Sequence, residues 1–447
     1  MPVSHSVPLP SQLAAAVTPA SRSRRITAPV VPQLSGPHRV DDYVLFALQQ
    51  NADVQSARQR VAAMANRVPQ AASLQDPTFG VTTYPAPIQT ASGALFAQVS
   101  ATQQLPWFGK LRTRAAAAEA ETEMARADLA AAELRVVADV KQAYYRLYIL
   151  QKSIGITVRE RALLVDISKI AAVKYEAGLV NQQDALLAQV EISNLDNELI
   201  ALRQQLLSGQ ARLAKLLHVS PETGLRAIEQ LPPEQLPKDV ERLYETAIRI
   251  RPELQSQLAA IQRDRRQIDL ARLNYFPDLN AGAGWIDVSN QGVAATANGR
   301  NAAFVNMTVN VPIYRKRLDA ALREAEAATS ADARKYDSLR DRTQEEVKDL
   351  FVRVEADQQM LQMFRGSIIP QANQTLQVSI QGYEAGNVDF LQMLDNWQNL
   401  LRYEISAYRL EGQLRQDLAE LERVVGGSLP AAGAPPREPL PAPPVRP

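Results

Sequence analysis

The chain has no cysteine among its 447 residues. That excludes a disulfide framework, a thiol nucleophile and the usual acceptor for an N-terminal lipid. Its three histidines, His5, His38 and His218, lie far apart, so no zinc site is expected. With 49 basic and 48 acidic residues the net charge is +1, which removes a broad electrostatic case for nucleic acid. No run of 18 or more apolar residues occurs, so no helix is expected to span a membrane. The N-terminal patch LAAAV is too short for a signal-peptide core, and arginines follow it instead of preceding it, so no signal peptide is expected there. Glycine-rich phosphate loops and nucleophile–base arrangements are missing too. No catalytic residue, cofactor or resident metal follows, and the chain does not read as an enzyme.

What is present favours long helices. Aromatic residues make up only 6%, glycine is scarce, and alanine, leucine, glutamine and arginine abound. Residues 1–36 and 428–447 are rich in proline without periodicity and read as a disordered N-terminal segment and a disordered tail. Between them the sequence runs twice through one plan, and the boundaries fall at 37–218 and 219–427. Gln55 answers Gln255 at an offset of 200, and Leu105–Pro106 answers Val311–Pro312 at 206. DVKQAYYR from Asp139 answers EVKDLFVR from Glu346 at 207, and the tetrapeptide YEAG recurs at 208, from Tyr175 and Tyr383.

Each half opens with two short helices, Asp41–Asn51 and Asp53–Ala71 in the first, Lys238–Ile250 and Pro252–Asn274 in the second. Two strands follow: Thr78–Tyr84 and Ala94–Gln104, then Asp278–Val288 and Ala302–Val311. Apolar and polar residues alternate along the later strand of each pair, as in Val305, Met307 and Val309 against Asn306 and Thr308. The segments Pro85–Gly93 and Ser289–Asn301 read as hairpin loops. No proline interrupts the chain between Pro106 and Pro221. Lys110–Ala177 therefore reads as one helix of roughly 100 Å, with a seam of period near 3.5 through Val137, Val140, Tyr144, Leu147 and Gln151. The glycine of YEAG ends it, and Gln182–His218 returns. The second half repeats this hairpin from Arg317 to Ala385, with a kink expected at Pro370, and from Asp389 to Val424.

Four strands of about ten residues have the length and alternation of outer-membrane strands. Four cannot close a barrel, and an open sheet in lipid leaves unpaired backbone groups. Several chains would have to combine, and three would supply twelve strands. The alternative is a soluble coiled-coil scaffold or adaptor with two ordinary β-hairpins packed on its helices.

The passage QQLPWFGKLRTRA (Gln103–Ala115), the helices containing NADVQSAR and RPELQSQ, and the two YEAG tips together resemble the TolC family of outer-membrane efflux channels, over roughly residues 40–424. The resemblance implies a mainly α fold with a small β part. Long antiparallel coiled-coil hairpins would form an α-helical barrel in the periplasm, and a homotrimer would complete a twelve-stranded barrel in the lipid bilayer of the outer membrane. It implies a passive exit duct served by a periplasmic adaptor and an inner-membrane pump of the resistance-nodulation-division type, carrying drugs or heavy-metal cations. The LPWFGK wording is similar to members serving heavy-metal pumps. The tips Gly178, Leu179 and Val180, with Gly386, Asn387 and Val388, match adaptor-docking positions, although a plain helix stop is the bland account of YEAG. Asp395 matches a pore constriction, and Gln392 stands where a second aspartate is common. Asp184 and Tyr383 match a closure latch, while Val388 replaces the arginine the family often adds. Trp107 and Phe108 read as interfacial aromatics.

Overall fold

The computed structural model describes residues 34–233, 236, 237, 239–290 and 299–429. Most of the two terminal segments and of the loop expected at 289–301 lies outside the described residues. The chain starts with β1 (Gly36–His38), then α1 (Val40–Gln50), α2 (Ala52–Ala65) and α3 (Arg67–Ala72). Strands β2 (Thr78–Thr90) and β3 (Gly93–Leu105) lead into α4 (Lys110–Glu176) and α5 (Gln182–Leu217). After β4 (Leu225–Ala227) come α6 (Val240–Ile250), α7 (Pro252–Leu273), β5 (Leu279–Ser289) and β6 (Ala302–Val309). The last limbs are α8 (Arg315–Met363), a π-turn at Phe364–Ile368, α9 (Ile369–Ala385) and α10 (Phe390–Val425).

Four features differ from the sequence expectations. The segment Pro85–Gly93 is mostly strand: β2 runs to Thr90, and only Ala91 and Ser92 form the turn. Its prolines fit because the β2–β3 register shifts between Thr83 and Ile88, and a bulge tolerates residues without an N–H. Ordered chain begins before residue 37, since Leu34 is buried and Gly36 pairs with Leu225 in the short parallel sheet β1–β4. The second short helix breaks at Asn66. Pro370 produces no simple kink: a π-turn precedes it. Proline cannot donate a hydrogen bond, and its ring crowds the carbonyl four residues back, here that of Gly366. A wider turn relieves both problems.

Away from the sheet, α5, α4, α10 and the α8/α9 limb pack side by side in that order. Leu164, Ile167 and Leu195 meet Leu376, Phe390 and Trp397 in one buried core. Nearer the sheet, α4 packs on α2, α3 and α7, and α7 packs on α8. Tyr144, Leu147 and Leu217 meet Tyr43 and Val54 in a second core there. The seam of α4 fills the core nearer the sheet through Val140, Tyr144 and Leu147, whereas a different set, Ile156, Leu164 and Ile167, fills the other.

Sheet and helices join at a buried corner. Lys110, the first residue of α4, is 3% exposed and holds Asp278 Oδ1 at 2.8 Å. The same oxygen accepts the Trp107 backbone N–H at 2.7 Å, and Trp107 stacks on Phe276 with centroids 5.3 Å apart. Removing one partner of a buried ion pair strands the other charge, at about 3–5 kcal/mol. We therefore expect Asp278→Ala to lower the thermal midpoint strongly, and Lys110→Met combined with Asp278→Leu to recover most of that loss. Equal midpoints for Asp278→Ala and the unsubstituted protein would contradict the role given to the corner.

Candidate functional site

The larger sheet has the order β2-β3-β5-β6, all antiparallel. Its register aligns Val81, Val99 and Trp285 in one row, and Phe79, Ala101, Ala283 and Val305 in the next on the same face. Nothing among the described residues covers that face: Phe79 is 76% and Val305 is 87% exposed. The opposite face carries Thr82, Gln98, Ser100, Thr102, Asn280, Asn306 and Thr308. Ile286 is an exception there, and so is Phe304. Phe304 lies over Gly284, where a Cβ would sit 2.5 Å from the ring. The outer strands β2 and β6 each have one partner, so each presents a free hydrogen-bonding edge.

At the far end, both hairpins turn by the same mechanism. Gly178 (φ 72°) and Gly386 (φ 81°) are left-handed, a conformation that costs a side-chain-bearing residue about 1–2 kcal/mol. In the first tip, Gly178 N–H donates to Tyr175 O at 2.9 Å and Leu179 N–H to Lys174 O at 2.9 Å. In the second, Gly386 N–H donates to Tyr383 O at 3.1 Å and Asn387 N–H to Gly382 O at 2.8 Å. Both are Schellman closures, which satisfy the last helical carbonyls. Leu179 and Asn387 are exposed, while Val180 and Val388 are half-buried.

The structure brings Asp184 and Tyr383 together. The Tyr383 hydroxyl donates to Asp184 Oδ2 at 3.2 Å, joining the start of α5 to the end of α9. Tyr383 is buried and stands edge-on to Phe390. Burial, then the Asp184 charge, raise its hydroxyl well above the usual phenol range. Burial also raises the Asp184 carboxyl, and Asp389 adds to this; the Tyr383 hydrogen bond and Lys174 oppose them without prevailing. Lys174 was not singled out from the sequence. Its ammonium lies 4.7 Å from the Tyr383 ring centroid and donates to the Tyr383 carbonyl. Only its place before the first YEAG, where the second tip has Gly382, could have flagged it.

Gln392 and Asp395 do not join this cluster. They lie one turn apart on the exposed face of α10, opposite Met393, Leu394 and Trp397, and Asn399 Nδ2 donates to Asp395 Oδ2 at 3.2 Å. Trp107 is half-buried in the corner, whereas Phe108 is 83% exposed beside it. Among the described residues no group of histidine, aspartate and glutamate could hold a metal ion. No described helix is long and apolar enough to cross a membrane.

A family model described as outer membrane efflux protein matches residues 46–218 and 243–427. The cobalt-zinc-cadmium resistance protein CzcC of Cupriavidus metallidurans is 25% identical over 336 residues, covering 71% of this chain and 74% of that protein. The fold superposes on the outer membrane protein VceC of Vibrio cholerae with a TM-score of 0.73, at 18% identity over 87% of this chain and 96% of that one. Against CusC the TM-score is 0.74, at 17% identity over 88% and 94%.

The tip geometry leads to a local prediction. Gly386→Val forces a β-branched residue into the left-handed region. Hydrogen exchange at the amides of Asn387 and Val388 should speed up about tenfold, as the 1–2 kcal/mol strain implies, while exchange in the middle of α4 stays unchanged. Tip amides that exchange at the original rate would show that the turn does not depend on glycine.

Proposed function

We infer what this chain does from one premise: it belongs to the outer membrane efflux protein family. It is an outer-membrane efflux channel and not an enzyme, and its helices form the periplasmic part. The observation that carries the reading is the sheet, apolar and uncovered on one side, polar on the other, and open at both edges. Such a sheet suits lipid outside and water inside.

The finer reading is a homotrimer. Three chains, each pairing β2 with a neighbour's β6, close a barrel of twelve strands and remove every free edge. The helices support the same closure. On α5 the residues Leu186, Val190, Ser193, Asn197, Ile200, Gln204 and Leu207 are exposed at steps of four and three. That is a coiled-coil seam without a partner among the described residues. The opposite border, α8 and α9, exposes Val352, Met363 and Val378. Repeats 37–218 and 219–427, which we read as a duplication, then contribute equivalent hairpins to a continuous tunnel. Trp107 and Phe108 sit where an interfacial belt belongs.

The tips Gly178–Val180 and Gly386–Val388 dock a periplasmic adaptor, which connects the duct to a resistance-nodulation-division pump in the inner membrane. Asp395 points a carboxylate into the narrow end of the tunnel with Gln392 beside it, and threefold symmetry makes three carboxylates, a ring that favours cations. Together with the name of the CzcC relative this favours heavy-metal cations as the solute. Tyr383 and Asp184 hold the tunnel shut at rest through a charge-assisted hydrogen bond worth about 1.5–3 kcal/mol.

Extraction tests the duct. The protein should require detergent, run as a trimer and form conducting pores in planar bilayers; a monodisperse chain recovered from the aqueous fraction without detergent would sink the reading. Conductance tests the latch. Tyr383→Phe and Asp184→Ala should each raise it, and the double variant should add little, because each change breaks the same link. The pH dependence follows from the raised Asp184 carboxyl. The Tyr383 hydrogen bond favours the ionised carboxyl and lowers its pKa against the effect of burial, so breaking the link makes the carboxyl bind its proton more tightly. Acid therefore favours the open tunnel, and conductance should rise as pH drops through that range. A pH response that persists unchanged in Asp184→Ala would remove Asp184 from the gate.

A further inference from the structure

Beneath the sheet, the first turns of α4 and the last turns of α7 enclose a cavity of about 470 Å³. Arg112, Arg266, Arg272 and Asp269 supply its charged walls, and Gly109, Leu273 and Phe276 supply its apolar ones. A second cavity of about 520 Å³ continues along α7, sharing Arg266, Asp269 and Arg272 and adding Arg265. Four guanidinium groups therefore face a single carboxylate, and that carboxylate lies 3.5 Å from Arg266. Arg112, Arg265 and Arg272 make no ion pair or side-chain hydrogen bond among the described residues. Four like charges gathered around one counter-charge still repel one another, and an anion between them relieves that cost.

The position of the cavity narrows the choice of anion. Arg272 lies in the last turn of α7, seven residues before β5 begins, and Arg112 lies within the first turn of α4. Arg266 is about two turns deeper, roughly 10 Å at 1.5 Å per residue. The upper wall is aromatic: Phe276 lines the cavity and stacks on Trp107, and exposed Phe108 stands beside them. Cation below and apolar surface above is the order of a phospholipid at the membrane surface.

Chain chirality sets the side on which the cavity opens. The Asn310 N–H donates to the Asp278 carbonyl at 3.2 Å, so the polar-face residues of β5 turn their backbone groups toward β6. Seen from the polar face with β5 ascending, L-residues then place β6 on the right and β3 on the left, with α4 below β3. A right-handed helix descending there turns Arg112, Glu119 and Glu123 away from the polar side. The cavity thus opens on the side of the apolar face, toward lipid and away from the tunnel.

We propose that this cavity binds the phosphate of an anionic glycerophospholipid, whose acyl chains rise past Phe276 and Phe108 along the uncovered apolar face. The proposal rests on the membrane reading above. Guanidinium forks match phosphate oxygens in pairs, so Arg112 and Arg272 hold the headgroup from the two helices. A lipid seated there bridges the start of α4 to the end of α7, next to the Lys110–Asp278 corner.

The test uses the full chain purified in neutral detergent and measures retained lipid by native mass spectrometry and the shift in thermal midpoint. Phosphatidylglycerol, phosphatidylcholine and inorganic phosphate are the probes. Phosphatidylglycerol should bind at least tenfold more tightly than phosphatidylcholine and raise the midpoint. In Arg112→Gln/Arg272→Gln that preference should vanish, while Arg334→Gln, a change on the exposed surface of α8, should keep it. Equal retention of both lipids, or a preference unchanged in the double variant, overturns the proposal. A midpoint shift reproduced by inorganic phosphate alone identifies a free-anion site and overturns it too. Planar-bilayer conductance separates the two readings: the double variant should still conduct, whereas an unsubstituted protein that fails to conduct argues against the duct, whatever lipid it holds.

Discussion

Backbone hydrogen bonding in a medium without water is the constraint on which this structure depends. Every N–H and C=O of β2 and β6 that faces outward needs a partner, and lipid offers none. One chain supplies four strands, fewer than a barrel needs, and among the described residues both outer edges of its sheet stay unpaired. The same openness recurs in the helices, where α5 presents a periodic seam that no described residue of its own chain covers. An apolar face that would promote aggregation in a soluble protein is here the surface that specifies where the protein resides.

Rigid junctions translate that constraint along the molecule. The corner at Lys110 and Asp278 transfers the direction of β3 to α4 through a buried ion pair and a stacked tryptophan. A helix of 67 residues carries any error in that direction a long way, so a small number of well-satisfied polar contacts at its origin matters more than their number suggests. At the other end, Tyr383, Lys174 and Asp184 combine a hydroxyl, a cation and a carboxylate around one ring. The two hairpins meet there through polar contacts beside an apolar core, and farther up α4 and α10 meet through the same mixture, with Arg159 paired to Glu404 and Lys141 to Glu422.

Much of this was legible in the sequence because the signals are periodic. The alternation in Val305–Val309, the 3.5-residue seam of α4 and the repeated YEAG fixed strands, shafts and tips to within a few residues. The pairing of Asp184 with Tyr383 came from family resemblance, and local pattern alone would not have joined residues 199 apart. Signals that depend on a partner distant in the chain stayed hidden. Asp278 looks like an ordinary residue after a proline until Lys110 is beside it. The strand character of Pro85–Gly93 was hidden for the opposite reason: proline and glycine are read as breakers, and a bulge on an edge strand accommodates them.

The π-turn at Phe364–Ile368 falls where the spacing between matched segments of the two halves changes by one residue. Matched segments of the two halves stand 207 residues apart at Asp139 and Glu346, and 208 apart at Tyr175 and Tyr383. The change of one falls inside the limb that holds the π-turn, which lies between Arg353 and Tyr383. A single inserted residue would rotate everything beyond it by about 100° in an unbroken α-helix, turning Leu376 and Tyr383 out of their core. A π-turn takes up one residue locally and lets the next turn resume the old phase. The distortion thus takes up the one residue by which this limb exceeds its counterpart, leaving the faces of α9 where their neighbours require them.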